Sequence, residues 1–143
     1  MRLGVAGLIY KIEDEKVYLL LGRRDKDPNR GLYVLPGGGV EEGESLEQAF
    51  HREVMEETGI EVGHRYVSRW ERPRVIELKD RLILVADAGL HSTPFNKLPP
   101  QSGGDLYDAQ WFELSQLPSD ISPVVAPVIR EWVYKMNDRN IPR

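Results

Sequence analysis

The chain of 143 residues contains no cysteine. Disulfide staples, thiolate zinc sites and cysteine nucleophiles are therefore excluded. The fold must hold by packing, which suits a reducing cytoplasm. Long apolar runs are missing as well. Stretches such as "LILVADAGL" (residues 82–90) fall far below the roughly 20 residues a membrane helix needs. No long basic stretch occurs and the net charge is −4, which speaks against a polymeric nucleic acid as partner. The opening "MRLGVAGLIY" lacks a small-residue cleavage site and runs directly into a second apolar segment, so it reads as a strand and not as a signal peptide. Internal repeats and low-complexity segments are also absent.

What remains is ordinary for a soluble domain: 41% hydrophobic and 29% charged residues. The length suits a single domain, residues 1–143, with one sizeable core. "LGVAGLIYKI" and "KVYLLLGRR" read as two strands joined by a turn around Glu13–Glu15. "DKDPNRG" reads as a loop, "LYVLP" as a short strand stopped by Pro36, and "GGGVEEGES" as a glycine-rich loop. A helix follows from Leu46 to Thr58, with Ser45 as N-cap and Gly59 as its stop. "EVGHRYVSRWE" and "RVIELKDRLILVADAGL" read as longer strands, "HSTPFNKLPPQSGGD" as a polar loop and "AQWFEL" as a further strand. "PVVAPVIREWVYKM" reads as a C-terminal helix that Pro127 either kinks or starts late. The tail "NDRNIPR" reads as loose. Strands around two helices give an α+β or mixed α/β class.

The chemistry concentrates in "HREVMEETG", residues 51–59. At about 100° per residue, Leu46, Ala49, Phe50 and Val54 share one side of the helix. Glu53 and Glu57 project into that same sector, with Glu56 at its edge, whereas Gln48, His51, Arg52 and Met55 lie elsewhere. The inward stripe thus turns from apolar to acidic along its length. A half-buried carboxylate is costly unless something neutralises it. Spacing leaves two readings open. Either the acids form a solvated face paired with basic residues, or a hard divalent cation sits among them. The preceding glycine-rich segment "PGGGVEEGE" permits close backbone approach to a ligand and opens a helix that could meet an anion.

Residues 38–60, "GGVEEGESLEQAFHREVMEETGI", resemble the Nudix box without a break, through Gly38, Glu44, Arg52, Glu53, Val54, Glu56, Glu57, Gly59 and Ile60. The flanks agree: strands before the box, "LYVLPGG" leading in, and "WFELSQLP" followed by a helix. The resemblance implies an α/β/α sandwich with a mixed β-sheet between helices. It implies hydrolysis of a nucleoside diphosphate linked to another group. It further implies that Glu53, Glu56 and Glu57 bind Mg²⁺ or Mn²⁺, with a backbone carbonyl near Gly37 or Gly38 completing the shell. One of these acids, or a further one, deprotonates the attacking water. Arg52 and Glu44 become a scaffold pair that fixes the helix against the loop.

Outside the box the resemblance suggests Arg23 and Arg24 as contacts to substrate phosphate, and Asp105, with Asp108 second, as an additional metal ligand or base. Plain alternatives stand beside these: exposed arginines and turn-forming aspartates. Tyr33 and Leu35 border the glycine loop and are candidates for a nucleotide pocket. His51, His64 and His91 show no metal-pair spacing, and Trp70, Trp111 and Trp132 read as core aromatics. For the substrate, Pro73 falls thirteen residues after Ile60, close to a proline marking ADP-ribose branches of the family. The compact length and the sequence around "LLLGRRD" and "GLYVLPGG" look more like the MutT-type branch, although "SPVVAPVI" lacks the asparagine that reads an oxidised guanine there. The expected substrate is a (deoxy)nucleoside triphosphate, with ADP-ribose or a nucleoside diphosphate sugar next, and a non-catalytic nucleotide sensor as the reading from another class. The protein is expected as a monomer or homodimer.

Overall fold

The computed structural model describes residues 1–62, 70, 72–90 and 102–138. Its elements run β1 (Arg2–Glu13), β2 (Lys16–Arg24), β3 (Tyr33–Val34), β4 (Gly37–Gly39), α1 (Leu46–Thr58), β5 (Arg74–Glu77), β6 (Arg81–Leu90), β7 (Leu106–Glu113) and α2 (Ala126–Asp138), with a short 3₁₀ turn at Leu114–Gln116. Most of the strand expected over 61–71, most of the loop expected over 91–105, His64, His91 and the last five residues lie outside the described residues.

β1 is the centre of a curled mixed sheet. It pairs parallel with β6 over ten residues, from Arg2↔Arg81 to Lys11↔Leu90. On its other side it pairs antiparallel with β4 through Gly4↔Gly39 to Ala6↔Gly37, and with β2 through Tyr10↔Leu19 to Glu13↔Lys16. β2 continues outward to β3 and β7, and β6 to β5. The β1–β2 hairpin closes with Asp14 and Glu15 both at left-handed φ, 52° and 65°. That handedness matches the twist of the flanking strands.

Alternation along the strands sorts the core into two layers. Val5, Ile9 and Leu20 meet Ala49, Phe50 and Val54 of α1 on one face. Ala6, Leu8, Leu19 and Leu21 meet Ile129, Trp132 and Met136 of α2 on the other. The sheet therefore lies between the two helices, the α/β/α arrangement expected. Full burial of an aliphatic or aromatic side chain contributes about 1.5–3 kcal/mol, and Leu8, Ile9, Leu19, Leu20, Phe50 and Val54 are all at 0% exposure.

Several expectations change. "RVIELKDRLILVADAGL" is a hairpin and not one strand: β5 and β6 turn back through Leu78–Asp80, with Leu78 N–H donating to Arg81 O at 2.8 Å. Gly37–Gly39, expected in a loop, is a strand because β1 offers its unpaired edge there. β7 starts at Leu106, earlier than "AQWFEL" suggested. α2 begins at Ala126, so Pro127 sits in its first turn, where a missing N–H is harmless. The same helix runs on to Asp138 and takes in Asn137 and Asp138 from the expected loose tail. No helix among the described residues is long and apolar enough to cross a membrane.

Candidate active site

α1 is built as its sequence dictates. Ser45 Oγ accepts from Gln48 N–H, the Gln48 side chain accepts from Ser45 N–H, and this capping box fixes the first turn. Gly59 ends the helix at φ 72°, with its N–H bonded to Met55 O, a conformation that favours glycine. Ala49, Phe50, Val54, Glu57 and Thr58 are buried. The acidic end of the inward stripe is real: Glu57 is 3% exposed, and the side chain of Glu53 17%. Glu56 lies at the rim, its side chain 54% exposed.

β4 is the floor beneath these acids. Gly37 N–H donates to Glu57 Oε1 at 2.8 Å. At Gly38 the contact is closer: a Cβ there would lie 2.4 Å from Cδ of Glu53 and 2.5 Å from its Oε2. Only a residue without a side chain lets the Glu53 carboxylate rest on the strand. Burial pushes the Glu57 carboxyl up to about 8, against the pull of the Gly37 N–H, and the charges of Glu53, Asp105 and Glu56 add to the rise. Burial also raises Glu53, opposed by Arg52 and reinforced by Glu56 and Asp105. The charges of Glu56 and Asp105 thus bear on both Glu53 and Glu57.

Arg52 starts on a different side of the helix, yet its long side chain reaches back over the acidic end. Nε and Nη2 grip Glu44 at 2.7 and 2.9 Å, Nη1 reaches Glu53 Oε1 at 2.8 Å, and Nη2 reaches Gly39 O at 3.1 Å. Glu56 lies 3.6 Å from Nη1. One guanidinium therefore ties the loop before α1, the helix and β4 together, through the bidentate geometry that suits Arg and not Lys. Its hydrogen bonds, with the Glu41 N–H, hold Glu44 down to about 2. Glu44 and Arg52 are paired, and the same arginine is the basic partner of the acidic face at Glu53.

Asp105 comes from a different part of the chain, just before β7, and its charge is felt at both Glu53 and Glu57. Its carboxylate pairs with Lys26 Nζ at 3.0 Å. Asp108 instead faces Arg23 at 3.8 Å. Arg23 and Arg24 have structural partners that the sequence did not announce. Arg23 donates to Asp120 Oδ2 and Gly31 O, both at 2.7 Å, and stacks 4.1 Å from the centre of the Tyr33 ring. Arg24 Nε donates to the carbonyls of Lys26 and Pro28 at 3.1 and 2.8 Å.

Tyr33 and Leu35 are each 5% exposed and belong to the core beneath α2, so neither forms the wall of an open pocket. Their apolar partners, supplied by β2 and α2, were invisible from the loop they border. Trp132 is buried against Tyr10. Trp70 packs edge-on to Phe50 and donates to Glu47 at 2.6 Å. Trp111 lies under Lys11, 4.8 Å from ring centre to Nζ. His51 is on α1, half-buried. A cleft lined by Glu15, Lys16, Val17, Glu113, Leu114, Ser115 and Asn137 shares no residue with the acidic face. Sequence reasoning missed Lys26 and Asp120. Lys26 stood only as part of the loop "DKDPNRG", and nothing local marked either one.

The donor set at the acidic face suits a hard divalent cation in its chemistry: carboxylate oxygens, no sulfur and no imidazole. A cation there would hold Glu53 and Glu57 ionised where burial and mutual repulsion favour the proton. As placed, one oxygen of Glu53 is bound by Arg52 and one of Glu57 by Gly37 N–H, and among the described residues no three such groups form a finished ligand cage.

Known proteins agree with this architecture. The chain is 38% identical over 113 residues to a NAD-capped RNA hydrolase NudC of Vibrio atlanticus (strain LGP32), a match covering 78% of this chain and 37% of that protein. It is 34% identical over 119 residues to an ADP-ribose pyrophosphatase of Methanocaldococcus jannaschii, covering 80% of this chain and 63% of the relative. The chain therefore spans less than two thirds of the length of either relative. Among solved structures, the NUDIX domain of Shewanella oneidensis NrtR in complex with ADP ribose superposes with a TM-score of 0.73 at 22% identity, covering 95% of this chain and 88% of that one. That likeness speaks for the fold. A family model described as the NUDIX domain matches residues 1–132, and with the unbroken box on α1 this places the chain in the NUDIX domain family.

Proposed function

We propose that this chain, as one domain over residues 1–143, hydrolyses a nucleoside diphosphate linked to another group, at the acidic end of α1. The observation that carries the reading is the buried Glu57 carboxyl, set on β4 with Glu53, Glu56 and Asp105 around it. A helix that served only the core would not place an acid at 3% exposure beneath its last turn.

Glu53, Glu56 and Glu57 would hold Mg²⁺ or Mn²⁺, with Gly38 in β4 as the backbone beside them. Such a cation offsets phosphate charge and lowers the pKa of water. Arg52 keeps Glu53 and the Glu41–Glu44 loop in fixed relation, so the acids need little reorganisation when substrate arrives. A carboxylate of the group, Asp105 included, accepts the proton of the attacking water. The water oxygen bonds to phosphorus, the bridging P–O bond breaks, and its electron pair leaves with the second phosphate. No covalent intermediate with the protein is needed.

For the group beyond the diphosphate, ADP-ribose and NAD-type dinucleotides stand ahead of nucleoside triphosphates. The names of the Vibrio and Methanocaldococcus relatives support that order, as does Pro73 beyond the box. The triphosphate reading rests on the compact length and the flanks of the box. Incubation with Mg²⁺ or Mn²⁺ and a panel of ADP-ribose, NAD⁺, NAD-capped RNA, nucleoside diphosphate sugars and deoxynucleoside triphosphates tests both. AMP and ribose 5-phosphate are expected from ADP-ribose. Binding of nucleotides without product from any of them would leave a nucleotide sensor instead.

A further inference from the structure

A diphosphate entering a ring of carboxylates needs cationic side chains as well as metal, and the arginines near the site are engaged. Arg52 is shared among Glu44, Glu53 and Gly39 O. Arg23 is bonded to Asp120 and Gly31 O, and Arg24 to two carbonyls of its own loop. Lys26 differs from all three. Its ammonium touches one group, Asp105 Oδ2 at 3.0 Å, and the two side chains are 51% and 55% exposed.

The position of Lys26 is built. Arg24 Nε holds the Lys26 carbonyl, Arg30 Nη1 holds both the carbonyl and the carboxylate of Asp25 at 3.1 Å, and Asp25 N–H donates to Asp105 O at 2.8 Å. The loop is thereby fastened to the segment that leads into β7. That segment is in turn pressed on the end of α1: a Cβ at Gly103 would lie 2.5 Å from Glu56 O, and one at Gly104 3.4 Å from Glu57 Cγ. The base of Lys26 is fixed beside the acidic face, while its tip carries three donors on a four-carbon stem and has one carboxylate partner.

We propose that Lys26 is a phosphate-binding residue of this site: its ammonium rests on Asp105 before substrate arrives, then transfers to the diphosphate and leaves Asp105 to face the acids of α1. This deepens the function proposed above and rests on it. An exposed ion pair is weak enough to be exchanged, and a phosphate oxygen offers a stronger charge-assisted partner than a solvated carboxylate.

Calorimetric titration of α,β-methylene-ADP at saturating Mn²⁺ tests it, with wild type, Lys26→Met, Lys26→Gln and Lys26→Arg. Both neutral variants should bind the nucleotide about tenfold more weakly, the loss of one charge-assisted contact, and Lys26→Arg should recover most of the affinity. Affinity for Mn²⁺ alone should be the same in all four proteins. Unchanged nucleotide affinity in either folded neutral variant overturns the proposal while the hydrolase reading stands. A loss that tracks weaker Mn²⁺ binding also overturns it, since Lys26 would then act only by steadying Asp105. A wild type that binds no nucleotide removes both readings together.

Discussion

α1 and α2 are both 13 residues long and cover opposite faces of the same sheet. Their buried faces have little else in common. α2 presents Ile129, Trp132 and Met136, all at 3% exposure or less, and its charges lie outside, in pairs such as Glu131 with Lys135 and Arg74. α1 begins the same way, with Ala49, Phe50 and Val54, and then puts Glu57 where another aliphatic residue would pack. One helix is optimised for holding the sheet. The other accepts a desolvated acid, and the acids around it raise its pKa further. The contrast separates what the fold needs from what the chemistry needs.

Glu57→Gln should break that contrast most strongly. Turnover is expected to fall by about 10³-fold, measured on whichever nucleotide the panel identifies, while the fold persists. Stability should move the other way. The folded carboxyl titrates at about 8 against an ordinary 4.5. The unfolded chain releases this proton first, so the metal-free wild type should lose stability as pH rises from 4.5 to 8, by on the order of a few kcal/mol. Denaturant melts across that range should show the slope in wild type and little of it in Glu57→Gln.

Trp132→Ala is the counterpart on α2. It should cost about 3–5 kcal/mol of stability, and the molecules still folded should keep their turnover. A loss of specific activity well below the melting point would mean that the two helices are not separable in role. Arg52→Lys sharpens the boundary within α1: the charge stays but the fork to Glu44 goes, so activity should drop roughly 10–100-fold with a small shift in melting temperature. Ser45→Ala removes the helix cap and should cost about 1 kcal/mol, read in the same melts, with the chemistry untouched.

How much of this was legible depended on how local its cause was. α1 could be read from end to end because cap, periodicity and stop all lie within Ser45–Gly59. The turn of its inner face from apolar to acidic was legible for the same reason. Gly37–Gly39 was not, since three glycines carry no strand signal and the pairing is imposed by β1. Nor was the β5–β6 turn, where Leu78, Lys79 and Asp80 bring no glycine or proline. Arg23 shows the limit most clearly: its partner Asp120 is 97 residues away in sequence, so the ion pair that holds it could not be read from its own stretch. Asp105 was a candidate only through the family resemblance, and the ion pair that joins it to Lys26, in a loop fastened beside it by backbone bonds, had no local signal.

The pairing of β1 with β6 bears on how the protein comes off the ribosome. Arg2 meets Arg81, and every later pair keeps that interval of 79 residues. The central strand, one of the most apolar segments of the chain, is thus synthesised long before its parallel neighbour exists. At about 5–20 residues per second, it waits several seconds for that neighbour, covered meanwhile by β2, β4 and α1, which are made before β6. Closing so wide a loop is a slow step, and a nascent chain stalled before β6 should be an early client for chaperones that bind exposed strands.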